Sequence, residues 1–252
     1  MDGYTSPERL ADQYSNAHKL RTRHETHRLY GERRPGFLTW ATDLIDIRPG
    51  MTVVDVGCGR GIYHPHFKQR GANVIGVDRS TGMAREAAAG CLSVVADAQA
   101  LPLRDAFCER AVCNHVLYHV PNQGLAMREL RRIVRPGGRV VIATNGAHNN
   151  ERMSEVARLA ASDLGRPGAL TRTSPFRLED LDRVRETFPN ARVEIFHNAF
   201  RFPDAEPALA YWRSMRDDPE LEAAMRPRID EIIRTEGMFR VPLVAGCFVA
   251  DV

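Results

Sequence analysis

Three glycines spaced one residue apart follow a short apolar stretch and are the first candidates for a ligand site. The run Val53-Val54-Asp55-Val56 leads into Gly57, Gly59 and Gly61. The apolar run predicts a buried strand, and the glycines predict a tight turn before a helix. Glycine suits this place because a ligand must approach the backbone closely, where Cβ atoms would block it. Asp55, at the end of the strand, could hold the amides of the turn or receive a cationic group.

Two further acids follow apolar stretches. Asp78 ends the predicted strand from residue 73 and lies 23 residues after Asp55, and Asp97 follows the predicted strand from residue 92. The carboxyl ends of parallel strands meet at one edge of a sheet, so the three carboxylates should converge on one crevice. A carboxylate at Asp78 can accept hydrogen bonds from both hydroxyls of a ribose. The alternative role of Asp78 is to cap the next helix, for which Ser80 and Thr81 are better candidates.

Histidines supply the candidate bases, because imidazole is the usual general base near neutral pH. His115 directly follows a fourth predicted strand at 109–114, and His119 stands four residues further on. His148 follows the end of a fifth strand and points at the same crevice. A packing role is the alternative for His115. The His115 and His119 spacing suits a metal only superficially, since no third ligand stands at a suitable spacing, and no metal is predicted.

The remaining elements must position these residues. Apolar periodicity predicts helices at 37–47, 62–70, 151–164 and 178–188, and strands at 192–196 and 243–249. Between the last two strands, helix-like blocks occupy 203–215 and 221–235. A connection that long is uncommon without a function. We interpret it as part of an active-site lid, with an oligomer contact as the alternative.

The N-terminal residues 6–30 have helical composition with little apolar content. Tyr14, His18, Arg21 and His24 recur at helical spacing and would share one face. A polar and aromatic face of this kind suits a cover over a ligand. A plain solvated helix is the alternative, because charged faces are usually solvated.

Length and composition restrict the class of protein. A chain of 252 residues with ordinary apolar and charged fractions predicts one α/β domain. The net charge of +3, carried by scattered arginines, argues against a nucleic-acid partner. The polar N-terminus and the lack of a long apolar run predict no signal peptide and no membrane span, hence a cytoplasmic protein. The five cysteines show no Cys-x-x-Cys spacing and indicate reduced thiols.

The stretch from Asp55 to Gly61 resembles motif I of the class I S-adenosylmethionine-dependent methyltransferases, Asp-x-Gly-x-Gly-x-Gly, at every fixed position. A dinucleotide-binding loop is the alternative, but Ile62 stands where its pattern Gly-x-Gly-x-x-Gly requires a third glycine. The stretch 115–120 resembles the Leu-His-His segment of ubiquinone/menaquinone-type small-molecule methyltransferases, with Tyr118 in place of the first histidine. The stretch 130–138, which ends in Arg-Pro-Gly-Gly, is typical of the same group.

The resemblance implies a Rossmann-like α/β fold: a seven-stranded, mostly parallel sheet with helices on both faces and extra lid helices. It implies one domain over 1–252, with a helical cover at 1–36, a cofactor-binding core at 37–144 and a substrate-side half at 145–252. S-adenosyl-L-methionine is the implied cofactor. The implied contacts to it are Tyr14, Asp55, Gly57, Cys58, Gly59, Gly61, Asp78, Arg79, Met83, Asp97, Ala98, Asn114 and His115. His115 and His148 are the catalytic candidates.

The implied activity is methyl transfer to oxygen, nitrogen or carbon of a small molecule, in quinone or specialised-metabolite biosynthesis, by a monomer or homodimer. A methyltransferase for RNA or protein is one alternative. A protein that binds S-adenosylmethionine on the same fold without methylating is another. Methyl transfer has no obligatory side chain, so the sequence leaves these alternatives open.

Overall fold

The computed structural model describes residues 17–168 and 174–252, with side chains from residue 19 onward. Within these residues, seven strands form one sheet in the order β3-β2-β1-β4-β5-β7-β6. The strands are β1 Thr52–Val56, β2 Asn73–Asp78, β3 Leu92–Val95, β4 Cys108–Asn114, β5 Val134–Asn145, β6 Arg192–Phe202 and β7 Phe239–Asp251. β7 runs antiparallel to both of its neighbours, and the other adjacent pairs are parallel. The predicted seven-stranded, mostly parallel sheet is therefore confirmed.

Helices flank this sheet. They are α1 Ala17–Tyr30, α2 Phe37–Leu44, α3 His64–Gln69, α4 Thr81–Ala88, α5 Gln123–Ile133, α6 Glu151–Asp163, α7 Leu181–Arg185, α8 Ala205–Arg213 and α9 Pro219–Glu236. Short 3-10 helices span Leu117–His119 and Leu178–Asp180. The first crossover helix begins at His64 and not at Ile62, because Gly61 holds the turn open at φ +75° and Pro65 favours the first helical turn. None of the described helices combines the length and the apolarity that crossing a bilayer requires.

The sheet is buried on both faces. Val53 packs with Ala41 and Phe67 on one face, where α2 and α3 lie. Val54 packs on the other face with Met127 of α5. Neighbouring residues separate in this way because successive side chains of a strand point to opposite faces. Burial on both sides explains why β1 is a continuous apolar run up to Asp55.

The segment between β6 and β7 forms the two predicted helices, α8 and α9. Together with α6 they pack around an apolar core of their own, which includes Met153, Leu209, Met225 and Phe239. The insertion is thus a packed helical layer that is fixed to the β6–β7 hairpin.

The chain after α1 is attached to β6. Gly31 forms a β-bridge with Phe200, and the Glu32 amide donates a hydrogen bond of 2.9 Å to the Ala199 carbonyl. The rings of Tyr30 and Phe202 lie 5.2 Å apart. These contacts connect α1 to the antiparallel side of the sheet.

Candidate active site

A cavity of about 1660 Å³ lies at the carboxyl ends of the parallel strands and extends from the glycine turn to α8. Most of the predicted cofactor contacts line it: Asp55, Gly57, Cys58, Gly59, Asp78, Arg79, Met83, Asp97, Ala98, Asn114 and His115. Gly61 is not part of the lining, and Tyr14 lies outside the described residues. We call the part around β1, β2 and β3 the cofactor half, and the part bounded by α1, α6 and α8 the acceptor half.

The glycines of the turn have different roles. Gly59 has φ +54°, and a Cβ built on it would meet no atom within 4 Å, so this position opens onto the cavity. A Cβ on Gly61, at φ +75°, would lie 2.4 Å from His64 Nδ1. A Cβ on Gly57 would lie 2.3 Å from a methyl group of Val116. Ligand approach therefore explains Gly59, whereas close packing within the protein explains Gly57 and Gly61.

Asp78 holds the glycine turn. Its Oδ2 accepts a hydrogen bond from the Gly59 amide and its Oδ1 accepts one from the Ser80 amide, each at 2.8 Å. Burial raises the pKa of this carboxyl, while the amide hydrogen bonds act in the opposite direction. A carboxylate has about four lone-pair sites, which is more than these amides use, so Asp78 can also accept from a ribose hydroxyl. Ser80 caps α4 by accepting from the Met83 amide, which confirms the predicted cap.

Asp55 has a different partner from those expected. The residue is buried, and its Oδ2 lies 3.1 Å from His64 Nε2. The other ring nitrogen of His64 lies 3.2 Å from Cys91 Sγ. Asp78, and not Asp55, therefore holds the amide of the turn. The sequence pattern does not predict His64 as the partner of Asp55. The only sequence signal for this contact is that His64 follows the glycines of the turn.

The remaining predicted contacts leave polar groups available in the cofactor half. Asp97 Oδ1 accepts from the backbone and side-chain nitrogens of Gln99 at 2.8 and 3.0 Å, which leaves Oδ2 for a ligand. The Ala98 amide has no hydrogen-bond partner among the described residues. Asn114 Nδ2 is buried and likewise lacks one within the described chain. These groups, with the open space at Gly59, fit an adenosyl cofactor.

His115 lies where the two halves of the cavity meet. It ends β4 in a left-handed conformation at φ +59°, and its amide donates to the Ala143 carbonyl at 2.9 Å. Its ring lies 5.3 Å from the ring of Phe37. A left-handed histidine at the end of a strand is uncommon, and such positions cluster at functional sites.

Two histidines of α1 lie near His115. Burial lowers the pKa of His115 to about 4, with smaller effects from His27 and His24. Burial also lowers the pKa of His24 to about 4, with help from the nearby charges of Arg23 and Arg60. Packing of the His27 ring against Phe200 and Tyr211 and the proximity of His24 also lower the pKa of His27, although the residue as a whole stays exposed. All three imidazoles are therefore neutral at physiological pH and can accept hydrogen bonds.

The structure does not bring His148 to this place. Its side chain is 74% exposed, and its Nδ1 lies 2.6 Å from Glu151 Oε2 in a contact on the surface. It is not among the residues that line the cavity. His119 does line the cavity, but it belongs to a 3-10 helix and does not share an α-helical face with His115.

The predicted face of α1 agrees only in part with the face that covers the cavity, since His24 lies on it and Arg21 does not. Leu20, Arg23, His24 and His27 line the cavity, whereas Arg21 is exposed and lies outside it. Residues 20, 24 and 27 follow the i, i+4, i+7 spacing of one helical face, and residue 21 is rotated away from that face. The side chain of His18 lies outside the described part of the chain. Among the residues that the structure describes, no three metal-binding side chains lie together.

Comparisons with known proteins agree with this geometry. Residues 54–142 match the family model of the methyltransferase domain. The chain is 35% identical over 117 residues to the malonyl-[acyl-carrier protein] O-methyltransferase of Pseudescherichia vulneris, covering 45% of this chain and 41% of that one. It is 34% identical over 119 residues to the ubiquinone biosynthesis O-methyltransferase of Aeromonas salmonicida, covering 44% and 50%. The matches thus span half or less of these curated relatives.

A solved structure extends the likeness beyond the matched segment. A protein of Bacillus halodurans C-125 that has been assigned as a methyltransferase superposes with a TM-score of 0.61 at 16% identity, covering 85% of this chain and 97% of that one. At this identity the likeness shows the fold. Residues 54–142 therefore form a methyltransferase domain, and its glycine turn resembles the cofactor loop of the class I S-adenosylmethionine-dependent methyltransferases, whose cofactor is S-adenosylmethionine.

Proposed function

We propose that the chain transfers the methyl group of S-adenosylmethionine to a small molecule that binds in the acceptor half of the cavity. The observation that carries this proposal is the acceptor half itself, which continues from His115 and lies under α1 and α8. Concave sites under covering elements suit small molecules, because most of the ligand surface can be buried there. An RNA or protein substrate would instead call for an open face around the methyl group.

The chemistry divides between cofactor and protein. S-adenosylmethionine supplies a methyl group on a sulfonium. The chain must align the acceptor and exclude water, for which α1 and α8 are placed. His115, neutral at physiological pH, can accept a hydrogen bond from the acceptor. Because its pKa is about 4, it suits an acceptor that ionises readily and needs little more than positioning.

Both curated relatives are named as O-methyltransferases, and this supports an oxygen acceptor for the present chain. A place in quinone or specialised-metabolite biosynthesis is part of the proposal, as are a cytoplasmic location and a monomeric or homodimeric state. Methylation of RNA or protein, or cofactor binding without methylation, are the alternatives that the experiment must separate.

The test uses S-adenosylmethionine with a labelled methyl group. Purified chain is incubated with separate small-molecule, RNA and protein fractions of a cell extract, and label transfer is measured together with release of S-adenosylhomocysteine. We expect label in the small-molecule fraction, matched by S-adenosylhomocysteine, and much less of both with Asp78→Ala when the cofactor concentration is below the Kd of the parent. Label in RNA or protein would contradict the proposed acceptor class. Tight cofactor binding without any transfer would favour a protein that does not methylate.

A further inference from the structure

Arginines line the acceptor half of the cavity. Arg23 and Arg28 of α1, Arg158 of α6 and Arg177 face it, and none of the four forms an ion pair within the described chain. The cofactor half has mixed charge, with three carboxylates beside Arg60 and Arg79. Glu151 is the one carboxylate that lines the acceptor half among the described residues, and it lies beside His148. Unopposed positive charge in a concave site attracts anions.

Two hydrogen-bond donors at this wall lack an acceptor within the described part of the chain. Arg23 Nη2 and Trp212 Nε1 are buried, and neither has a hydrogen-bond acceptor among the residues that the structure describes. Trp212 as a whole is only 5% exposed, yet it borders the cavity. Buried polar groups in folded proteins are nearly always paired. Two orphaned donors on neighbouring elements of one cavity therefore indicate that a ligand supplies their acceptors.

Tyr211 adds a third donor. Asn150 Nδ2 donates to the Tyr211 hydroxyl at 3.1 Å, so the phenol oxygen already accepts and its proton remains to be donated. Burial raises the pKa of Tyr211, which keeps that proton in place. α1 packs beside α8 here, because the rings of His27 and Tyr211 lie 6.3 Å apart, and Arg23 lies one turn before His27 on the wall of the same cavity. We call Arg23, Tyr211 and Trp212 the donor corner.

We propose that the acceptor molecule carries an oxyanion, a carboxylate or a phosphate, and that this group binds at the donor corner through Arg23 and Trp212. The inference rests on the proposed function and adds the substrate class. Oxyanions accept several hydrogen bonds at once and match the guanidinium group in shape and charge. An uncharged apolar acceptor would leave Arg23 and Trp212 unpaired, and a cationic amine would meet unopposed positive charge.

The test uses small aromatic probes of equal shape and different charge. The full chain, saturated with S-adenosylhomocysteine, is titrated by calorimetry with benzoate, phenyl phosphate, benzamide and benzylamine. We expect saturable binding of at least one anion in the millimolar range and none of benzamide or benzylamine. The tighter of the two anions distinguishes a carboxylate from a phosphate as the natural group.

Three variants locate the binding. Arg23→Gln removes the charge, Trp212→Phe keeps an aromatic ring without the N–H, and Arg21→Gln is the control on the exposed face of α1. Loss of a hydrogen bond to a charged group predicts about tenfold weaker anion binding for Arg23→Gln and several-fold weaker binding for Trp212→Phe. Arg21→Gln should bind as the parent does. All three should retain the affinity of the parent for S-adenosylhomocysteine.

Three results would overturn the inference: no saturable anion binding, equal binding of benzamide or benzylamine, or anion binding that survives Arg23→Gln. Any of these with S-adenosylhomocysteine still bound would count against the oxyanion subsite alone. A parent chain that fails to bind S-adenosylhomocysteine would instead count against the proposed function.

Discussion

Asp78 Oδ2 accepts a hydrogen bond of 2.8 Å from the backbone N–H of Gly59, so the end of β2 fixes the turn that follows β1. β1 and β2 are adjacent and parallel, with Val56 opposite Val77. The carboxylate that we propose as the ribose acceptor therefore also shapes the loop on which the rest of the cofactor would lie. One side chain thus couples loop geometry to ligand contact.

Asp78→Ala should weaken binding of S-adenosylhomocysteine by about tenfold or more, since a hydrogen bond to a charged group contributes ~1.5–3 kcal/mol. Asp78→Asn is the matched variant, because it keeps the size of the side chain and one oxygen acceptor, and it should lose less. Calorimetry gives the affinities, and thermal unfolding shows that each variant is folded. Parent-like affinity in Asp78→Ala would rule out the ribose contact.

Gly59 and Gly61 flank Arg60, and substituting each of them separates two roles: leaving space for the ligand and allowing close packing within the protein. Gly59→Ala and Gly61→Ala both force a side chain into a left-handed conformation, at a cost of roughly 1–2 kcal/mol each. Only Gly61→Ala adds a clash with His64, which should lower the free energy of unfolding by a further ~1–3 kcal/mol. Gly59→Ala should instead reduce cofactor affinity, because its Cβ enters the open cavity. Urea unfolding gives the free energy of unfolding of both variants, and calorimetry gives their affinity for S-adenosylhomocysteine. Equal losses of stability and of affinity in the two variants would contradict separate roles.

Substitution of His115 tests whether this residue removes a proton from the acceptor or only positions the acceptor. If it is the base, His115→Asn should slow a single turnover by ~10²–10⁴-fold while cofactor affinity stays unchanged. With a pKa of about 4, the group is already deprotonated at neutral pH. The parent rate should therefore be constant across neutral pH and fall only as the pH approaches 4, and not near the ordinary histidine value. Full activity in His115→Asn would leave positioning as the mechanism, because the exposed His148 offers no substitute.

The same shifts predict how stability depends on pH. His24, His27 and His115 have a pKa of about 4 in the folded chain against an ordinary 6.5. Between these values the unfolded chain binds more protons, so the free energy of unfolding should fall as the pH is lowered from 6.5 toward 4. His115→Asn should make this fall shallower, as urea unfolding across that range would show. An unchanged slope would mean that His115 titrates normally.

Closure over the cavity can be followed by limited proteolysis. Trypsin cleavage at exposed arginines of α1, such as Arg21 and Arg28, should slow when S-adenosylhomocysteine is bound, because a covering element is held down by its ligand. The exposed Arg192 lies at the amino end of β6, does not line the cavity and is not followed by proline, so its cleavage serves as the reference. If the ligand protects neither α1 nor the segment around α8, these elements are scaffold and not a lid.

The acids at the strand ends could be predicted from the sequence because parallel strands deliver their carboxyl ends to one edge. Asp55, Asp78 and Asp97 all line the cavity for that reason. The cap by Ser80 could also be predicted, since its signal lies within four residues of chain. Most of the residues that line the cofactor half could therefore be predicted from local chemistry and from the periodicity of the strands.

Contacts across the turn could not be predicted. His64 contacts Asp55 because the glycine turn brings the start of α3 back beside β1. No spacing rule predicts such a contact from the sequence. His148 follows the right strand, but its ring lies beside Glu151 three residues on and faces solvent. On α1, the predicted His24 lines the cavity but Arg21 does not, because periodicity among polar residues does not tell which side of a helix meets the cavity.

The position of α1 has a consequence for turnover. The charge of Arg60 in the glycine turn contributes to lowering the pKa of His24. The charge of Arg23, one residue earlier, acts to lower the pKa of Tyr211 on α8. A single helix therefore spans both halves of the cavity. If the chain methylates as we propose, we expect the methylated product and the spent cofactor to leave together when α1 opens.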